Sequence, residues 1–306
     1  MRNERPTTSI FRRIKWSKWV AKSNCRRNLT LTGSEQQPEL RQGFKVGGAE
    51  SDLFQGTADY YRRYRRPYPP EVLAYLVDTF KLDGQGRLLD VGCGTGQVFQ
   101  GLASRFDEVV AIDADAEMVA AARQTVVEQK LEHVHVRQML GESVTEELGS
   151  FRVATFGASF HWMDRLNVAN LVYDRLEKGG GLVVLLYTGI HEEKTAWEAV
   201  VCRVLEKWLG QQRRAGGGVY KEGERHEAIL ARSRFGQAEV HDICVEEDWS
   251  IDEIVGFLYS TSYASKGVLG AKCEAFEADL RARLRNLSEA GQFRKEVEYT
   301  TIWGRK

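Results

Sequence analysis

Leu88-Leu89-Asp90-Val91-Gly92-Cys93-Gly94-Thr95-Gly96-Gln97 is the stretch on which the fold turns. A short apolar run that stops in glycines and leads into a helix reads as a buried strand. Its end lets the backbone approach a ligand at the carboxyl edge of a sheet. Glycine spacing separates two ligand classes. Dinucleotide sites use GxGxxG, whose third glycine would fall at Gln97. Here the glycines fall at 92, 94 and 96, behind the acid Asp90. That form suits a ligand without phosphates and with a positively charged amino-acid end. Asp113 closes the next strand, 23 residues after Asp90, where a carboxylate can accept both hydroxyls of a ribose. Asp113 could instead cap the following helix, but Asp115 is better placed for that task.

Working outward, apolar strands alternate with helices. Helical spacing covers Val72 to Phe80, Val98–Arg105, Glu117–Lys130 and Asn167–Leu176, between strands at Leu88–Val91, Val109–Asp113, Val134–Arg137, Val153–Gly157 and Leu182–Tyr187. This alternation predicts a mostly parallel sheet with helices on both faces. Beyond Tyr187 it loosens. Helices are expected over about Glu192–Leu209, up to Arg232, over Ile251–Tyr263 and over Ala271–Leu287. Strands at Ala238–Val245 and Phe293–Trp303 bring the total to seven.

The zero formal charge of the 306-residue chain hides an asymmetry. Residues 1–49 carry 11 Lys/Arg against three acids, and the remainder carries 32 against 40. A mildly acidic folded part argues against a nucleic-acid surface. The acid-poor leader reads as a disordered tail or an upstream start ahead of an organelle transit peptide, and is not counted in the fold. No apolar run is long enough to span a membrane. Five scattered cysteines without a CxxC pair fit reduced thiols in a cytoplasmic setting, and no metal site is expected. Cys93 reads as small packing inside the loop. All five prolines lie within the first 70 residues, so the downstream Pro-Pro-aromatic and Pro-Cys motifs of nucleic-acid methyltransferases have no counterpart.

The stretch from Leu53 to Tyr187 resembles the class I S-adenosylmethionine-dependent methyltransferases of the small-molecule branch, and most closely the trans-aconitate methyltransferase type. The resemblance rests on Tyr64 to Pro69, the Asp90–Gly96 loop, Val110-Ala111-Ile112-Asp113 and Ser159-Phe160-His161-Trp162-Met163-Asp164, with Trp249–Ser265 similar to that group's cap. It implies a Rossmann-like α/β fold over residues 50–306 with a helical cap over about 190–290. It also implies transfer of a methyl group to a small-molecule carboxylate or hydroxyl oxygen, by a monomer or homodimer. Two other readings stay open: a cofactor-binding scaffold without activity, and methylation of a protein or RNA.

Carried over by residue, the resemblance places Gly92, Cys93 and Gly94 against the methionine part of the cofactor and Asp113 on the ribose. Met118 would pack on adenine, with Gly141 and Glu142 at its edge. Tyr64 and Arg66 would close over the cofactor, and Ala158 with Ser159 would present backbone near the sulfonium. Leu140 and Arg152 depart from the family's pattern and weaken the adenine contacts. Arg62, Arg63 and Arg65 read as a solvated basic face. His161 either faces the substrate, as a base where the acceptor is protonated, or holds its loop by a hydrogen bond.

Overall fold

A computed structural model describes residues 28–32, 54–190, 193–211, 214–215, 218–219 and 223–306. The chain runs β1 (Asn28–Thr32), α1 (Ala58–Tyr64), α2 (Pro70–Phe80), β2 (Arg87–Val91), α3 (Phe99–Leu102), β3 (Glu108–Asp113), α4 (Ala116–Glu128), β4 (Val134–Gln138), β5 (Phe151–Gly157), α5 (Arg165–Arg175) and β6 (Leu176–Tyr187). The second part comprises α6 (Ala196–Leu209), a two-stranded hairpin of β7 (Arg214–Ala215) and β8 (Gly218–Val219), α7 (His226–Arg232), β9 (Gln237–Ser250), α8 (Ile251–Tyr259), α9 (Lys266–Leu269), α10 (Cys273–Leu287) and β10 (Gln292–Arg305).

Among the described residues the main sheet has eight strands in the order β1-β9-β10-β6-β5-β2-β3-β4. The five from β6 to β4 are parallel to their neighbours, while β10 is antiparallel to both β6 and β9. All seven expected strands are present. The eighth, β1, is an addition: it comes from the leader and pairs antiparallel with β9, Asn28 facing His241. Asn28-Leu29-Thr30-Leu31-Thr32 alternates polar and apolar residues, a strand signal too short to stand out inside the basic leader. The rest of the leader lies outside the described residues.

Alternate strand residues feed two cores. Leu88, Val109 and Val183 point to the layer of α2, α3 and α4, whereas Leu89, Val110 and Val184 point to that of α5 and α7. Burial on both faces is what makes these strands continuous apolar runs in the sequence. A third cluster, joining Val201 and Leu205 of α6, Ile254 and Leu258 of α8 and Phe276 and Leu280 of α10, forms the cap at one end of the sheet. Capping boxes at Thr195 and Ser250 start α6 and α8, each satisfying free amide donors of a first turn. Behind the cap, the buried Lys295 ammonium pairs with the buried Glu198 carboxylate and also donates to the Gly189 carbonyl.

Two expectations need revision. Cys244 is disulfide-bonded, against the reading of five reduced thiols, because sequence spacing does not record which strands the fold brings together. Cys93, Cys202 and Cys273 are free, and Cys25 lies outside the described residues. Arg152 is not near a ligand edge. At the start of β5 it pairs with Asp83 and donates to the carbonyls of Gln85, Phe80 and Lys81, which ties the α2–β2 loop to β5 at the amino end of the sheet, away from the glycine loop. No helix among the described residues is long and apolar enough to cross a membrane.

Candidate cofactor and acceptor site

The amides of Gly92 and Cys93 both donate to the Ile112 carbonyl, at 2.8 and 3.0 Å, which folds the loop after β2 across the end of β3. Gly92 and Gly94 adopt φ of +65° and +55°, a region that costs other residues roughly 1–2 kcal/mol. A Cβ on Gly92 would lie 2.5 Å from that of Ser159, and one on Gly94 would sit 3.4 Å from the Tyr61 ring. The loop is therefore hemmed in from both sides by side chains that only glycine admits.

The two acids flank this loop. Asp113 Oδ2 accepts the Gly94 amide at 2.8 Å and Oδ1 accepts that of Asp115 at 3.0 Å. Each oxygen keeps a further lone pair for another donor. Burial raises the Asp113 carboxyl above its ordinary range, an effect that the two amide donors oppose. Asp115 caps α4, accepting from Glu117 and Met118. Asp90 is fully buried: Oδ1 accepts from Thr155 at 2.9 Å, while Oδ2 has no partner. Burial pushes its carboxyl up from 3.8 to about 7. An orphaned buried acceptor is costly and calls for a donor. Burial also raises the Cys93 thiol well above its ordinary value, which keeps it protonated.

The other side chains read from the sequence take varied positions. Met118 is buried under Ala58, Phe54 and Tyr61, so α1 straps over the start of α4. Gly141 is buried, and Met163, not singled out in the sequence, fills the space between it and Gly92: a Cβ on Gly141 would lie 2.7 Å from Met163 Sδ. Glu142 accepts the Asp164 amide at 2.9 Å, and Leu140 is 49% exposed. Ala158 holds φ of +51°, and Ser159 donates to the Val91 carbonyl at 2.6 Å, tying the loop after β5 to the end of β2.

Tyr64 packs on the cap, whereas Arg66 lines the cleft beside Gly92 and Cys93 and also reaches the cap. The Tyr64 ring packs on Gly256 of α8 and stacks with Tyr60. Arg66 pairs with Glu247 at 3.3 Å and Glu253 at 2.9 Å and lies over the Trp249 ring, which latches the strap to the cap. Tyr61 and Arg65 face the loop as well. Four residues apart, they share one side of the strap. Arg65, expected on a solvated face, lies 4.9 Å from the Tyr61 ring and 4.2 Å from that of Phe257, and donates to Ser260 Oγ at 2.8 Å and to the Tyr187 hydroxyl. Of the other two arginines, Arg62 pairs with Glu128 and Arg63 is exposed.

Together Tyr61, Arg65, Gly92, Cys93, Gly157 and Ala158 line a narrow cleft, bounded on one side by Tyr187. A second cavity beyond Tyr187 lies between the ends of β6, β9 and β10 and α8. His161 lines neither. Its ring is 4.5 Å from that of Trp162 and 6.3 Å from that of His226, a buried histidine whose pKa burial lowers to about 3.

With this geometry in view, the comparisons are consistent. Residues 88–180 match the family described as a methyltransferase domain. The chain is 26% identical over 151 residues to an uncharacterised methyltransferase of Schizosaccharomyces pombe, covering 49% of this chain and 57% of that protein. It spans little more than half the length of the curated relatives it matches. Its fold is similar to a solved structure described as a type II methyltransferase from Anaeromyxobacter dehalogenans, with a TM-score of 0.53 and 20% identity, over 79% of this chain and 98% of the other. It is also similar to a phosphoethanolamine N-methyltransferase of Haemonchus contortus solved with S-adenosylhomocysteine, with a TM-score of 0.50 and 15% identity, over 86% of this chain and 61% of the other. Residues 88–180 are thus similar to a methyltransferase domain, and the fold is a Rossmann-like mixed sheet.

Proposed function

We propose that this protein transfers a methyl group from S-adenosylmethionine to an oxygen of a small molecule. The observation that carries the reading is the pair of acids around the left-handed glycines. Asp113 keeps lone pairs for the ribose hydroxyls, and the unpartnered Oδ2 of Asp90 beneath the loop suits a cationic amino-acid end. Gln97 stands where a dinucleotide site would need its third glycine, and its amide is turned to Thr95 at 2.8 Å.

When bound, the cofactor supplies a methyl group already activated by its sulfonium. The protein's share is to orient and to exclude water. The backbone at Gly92–Gly94 would cradle the methionine part, Met118 would lie against adenine, and the strap carrying Tyr61 and Arg65 would cover the cleft. Holding reactants in line can lower a barrier by roughly 7–11 kcal/mol, so positioning alone accounts for much of the catalysis.

Calorimetric titration with S-adenosylhomocysteine and with NADH tests the reading. Binding of the first and not of the second is expected, together with labelled methyl transfer to a small acceptor. Absence of affinity for S-adenosylhomocysteine would overturn it.

A further inference from the structure

The cavity beyond Tyr187 encloses one acid, Glu247, among the rings of Tyr68, Tyr187, Trp249, Phe257 and Tyr299. Glu247 is the only carboxylate among the described residues that line either cavity, and no histidine lines them. Its side chain is nearly buried, at 9% exposed. Oε1 accepts from the Tyr299 hydroxyl at 2.6 Å, and Oε2 stands 3.3 Å from Arg66. The Nη2 of Arg66 is turned away, donating to Glu253 and to the Asp248 carbonyl. Lys295 lies directly across from Glu247 in the β9–β10 register, yet its ammonium is taken by Glu198 and the Gly189 carbonyl. Each oxygen of Glu247 therefore keeps a lone pair for an occupant of the cavity.

Donors line the same space. Tyr187 accepts from Arg65 and Thr188 accepts the Glu298 amide at 3.0 Å, which leaves each hydroxyl its own hydrogen to give. Such a set selects among acceptor groups. Arg66 is already shared between Glu247 and Glu253, so a carboxylate would bring a third anion to one guanidinium. An ammonium would meet Arg66 and has no electron pair with which to attack. A hydroxyl is neutral, brings a hydrogen for Glu247 and can take one from Tyr187 or Thr188. The surrounding rings favour a flat carrier for it.

We infer that Glu247 is a catalytic residue, the general base that takes the proton from a hydroxyl of a flat acceptor seated in this cavity. This rests on the methyl-transfer reading above. Arg66, Tyr68 and Tyr187 line both cavities, so the acceptor borders the glycine cleft from which the methyl group comes. The hydroxyl oxygen supplies the electron pair for the new C–O bond, and the C–S pair stays on sulfur. The hydroxyl proton passes to Glu247 Oε2 and is lost to water as the product leaves. Burial and the Glu247 charge push the Tyr299 hydroxyl above its ordinary range, so it stays protonated and holds the carboxylate in place. His161, outside both cavities, takes no part in that step.

Labelled methyl transfer to phenol, 4-nitrophenol and benzoate at pH 8 tests the assignment, with Glu247→Gln beside the parent. Phenol keeps its proton at that pH, whereas 4-nitrophenol arrives ionised and needs no base. The parent should methylate both phenols in preference to benzoate. Glu247→Gln should lower kcat for phenol by about 10²–10⁴, and for 4-nitrophenol by less than about tenfold. S-adenosylhomocysteine affinity and the KM for each phenol should stay within a few-fold. A side chain that only shaped the wall would lower both rates alike. Glu247→Asp, which keeps the carboxylate but shortens its reach, should recover part of the phenol rate. Where Glu247→Gln fails to fold by circular dichroism, Glu247→Asp must itself lose more on phenol than on 4-nitrophenol. The inference is overturned if the parent prefers benzoate or methylates neither phenol, if the variants lose the two phenols equally, or if phenol turnover is unchanged. Loss of S-adenosylhomocysteine binding in the parent protein would instead sink the underlying function.

Discussion

Replacing Asp90 by asparagine isolates the charge on which the cofactor reading depends. Asp90 is fully buried, with one oxygen on Thr155 and the other without a partner. Burial lifts its carboxyl from 3.8 to about 7, partly opposed by the Thr155 hydroxyl and the Phe99 backbone and reinforced by Asp113. Each unit of that rise corresponds to about 1.4 kcal/mol against the ionised form, or about 4 kcal/mol in all. The folded state holds the proton more tightly than the unfolded one, so stability falls as pH rises. The favourable contribution is complete below about pH 4, declines between pH 4 and 7, and is gone above that. Between pH 5 and 8 the parent protein should lose about 3 kcal/mol from this group alone. Asp90→Asn has no such proton to lose, and its curve should be flatter by that amount.

Urea unfolding of both proteins at pH 5, 6, 7 and 8 reads the difference directly. Binding adds an independent measure. An ammonium seated on Asp90 Oδ2 requires the ionised carboxylate, which rises from about a tenth to about nine-tenths of the population between pH 6 and 8. S-adenosylhomocysteine affinity should therefore increase by up to about tenfold over that range in the parent and stay level in the variant. Parallel stability curves for the two proteins, within about 0.5 kcal/mol, would refute the assignment of a raised pKa to Asp90. Parallel binding curves would refute the ammonium contact.

Three further variants probe separate parts of the structure. Gly92→Ala should cost about 1–2 kcal/mol for its left-handed φ and push the loop off Ser159, lowering S-adenosylhomocysteine affinity at least tenfold by calorimetry; unchanged affinity would show that the loop does not touch ligand. Lys295→Met should destabilise the fold by about 3–5 kcal/mol in urea melts by leaving the Glu198 charge without its cation, and a second change, Glu198→Gln, which keeps an acceptor for the Thr195 cap, should restore most of the loss; additive losses would argue against the pair. His161→Ala should leave kcat within a few-fold and cofactor affinity unchanged, whereas a fall of about 10²–10⁴ would reinstate it as a general base.

The parts of this protein that were legible in its sequence share a physical cause. Strands β2, β3, β5 and β6 are buried on both faces, so they appear as unbroken apolar runs, and the glycines at 92, 94 and 96 mark a bend that other residues resist. Asp113 was legible because its place at a strand end is set locally. The strap was not. Its helix α1 lies between α4 and α8, so tyrosines and arginines fall on both sides and no single apolar face reveals which ones look inward. Tyr61 and Arg65 join Arg66 at the cleft, while the Tyr64 ring turns to Gly256, almost 200 residues away in the chain, which leaves room for it. Met163 was given no role for a similar reason: what it fills is the space between two glycines in the loops after β2 and β4.

Adjacent arginines with opposite tasks explain why the strap matters to both cavities. Helix α1 ends at Tyr64, and Arg65 is already extended, at φ −81° and ψ 117°, ahead of Pro67. In an extended chain successive side chains point to opposite sides. Arg65 therefore turns inward to Tyr187, on the wall between the two cavities, while Arg66 turns to Glu247 and Glu253 at the rim of the cap. Tyr61, one turn earlier, lies against Gly94, and Met118 is buried beneath it. Withdrawing the strap would uncover the glycine loop and release Tyr187 and Trp249 in the same movement. The two cavities thus share part of their wall in one short segment, through Arg66 and Tyr68, and both are lined by Tyr187.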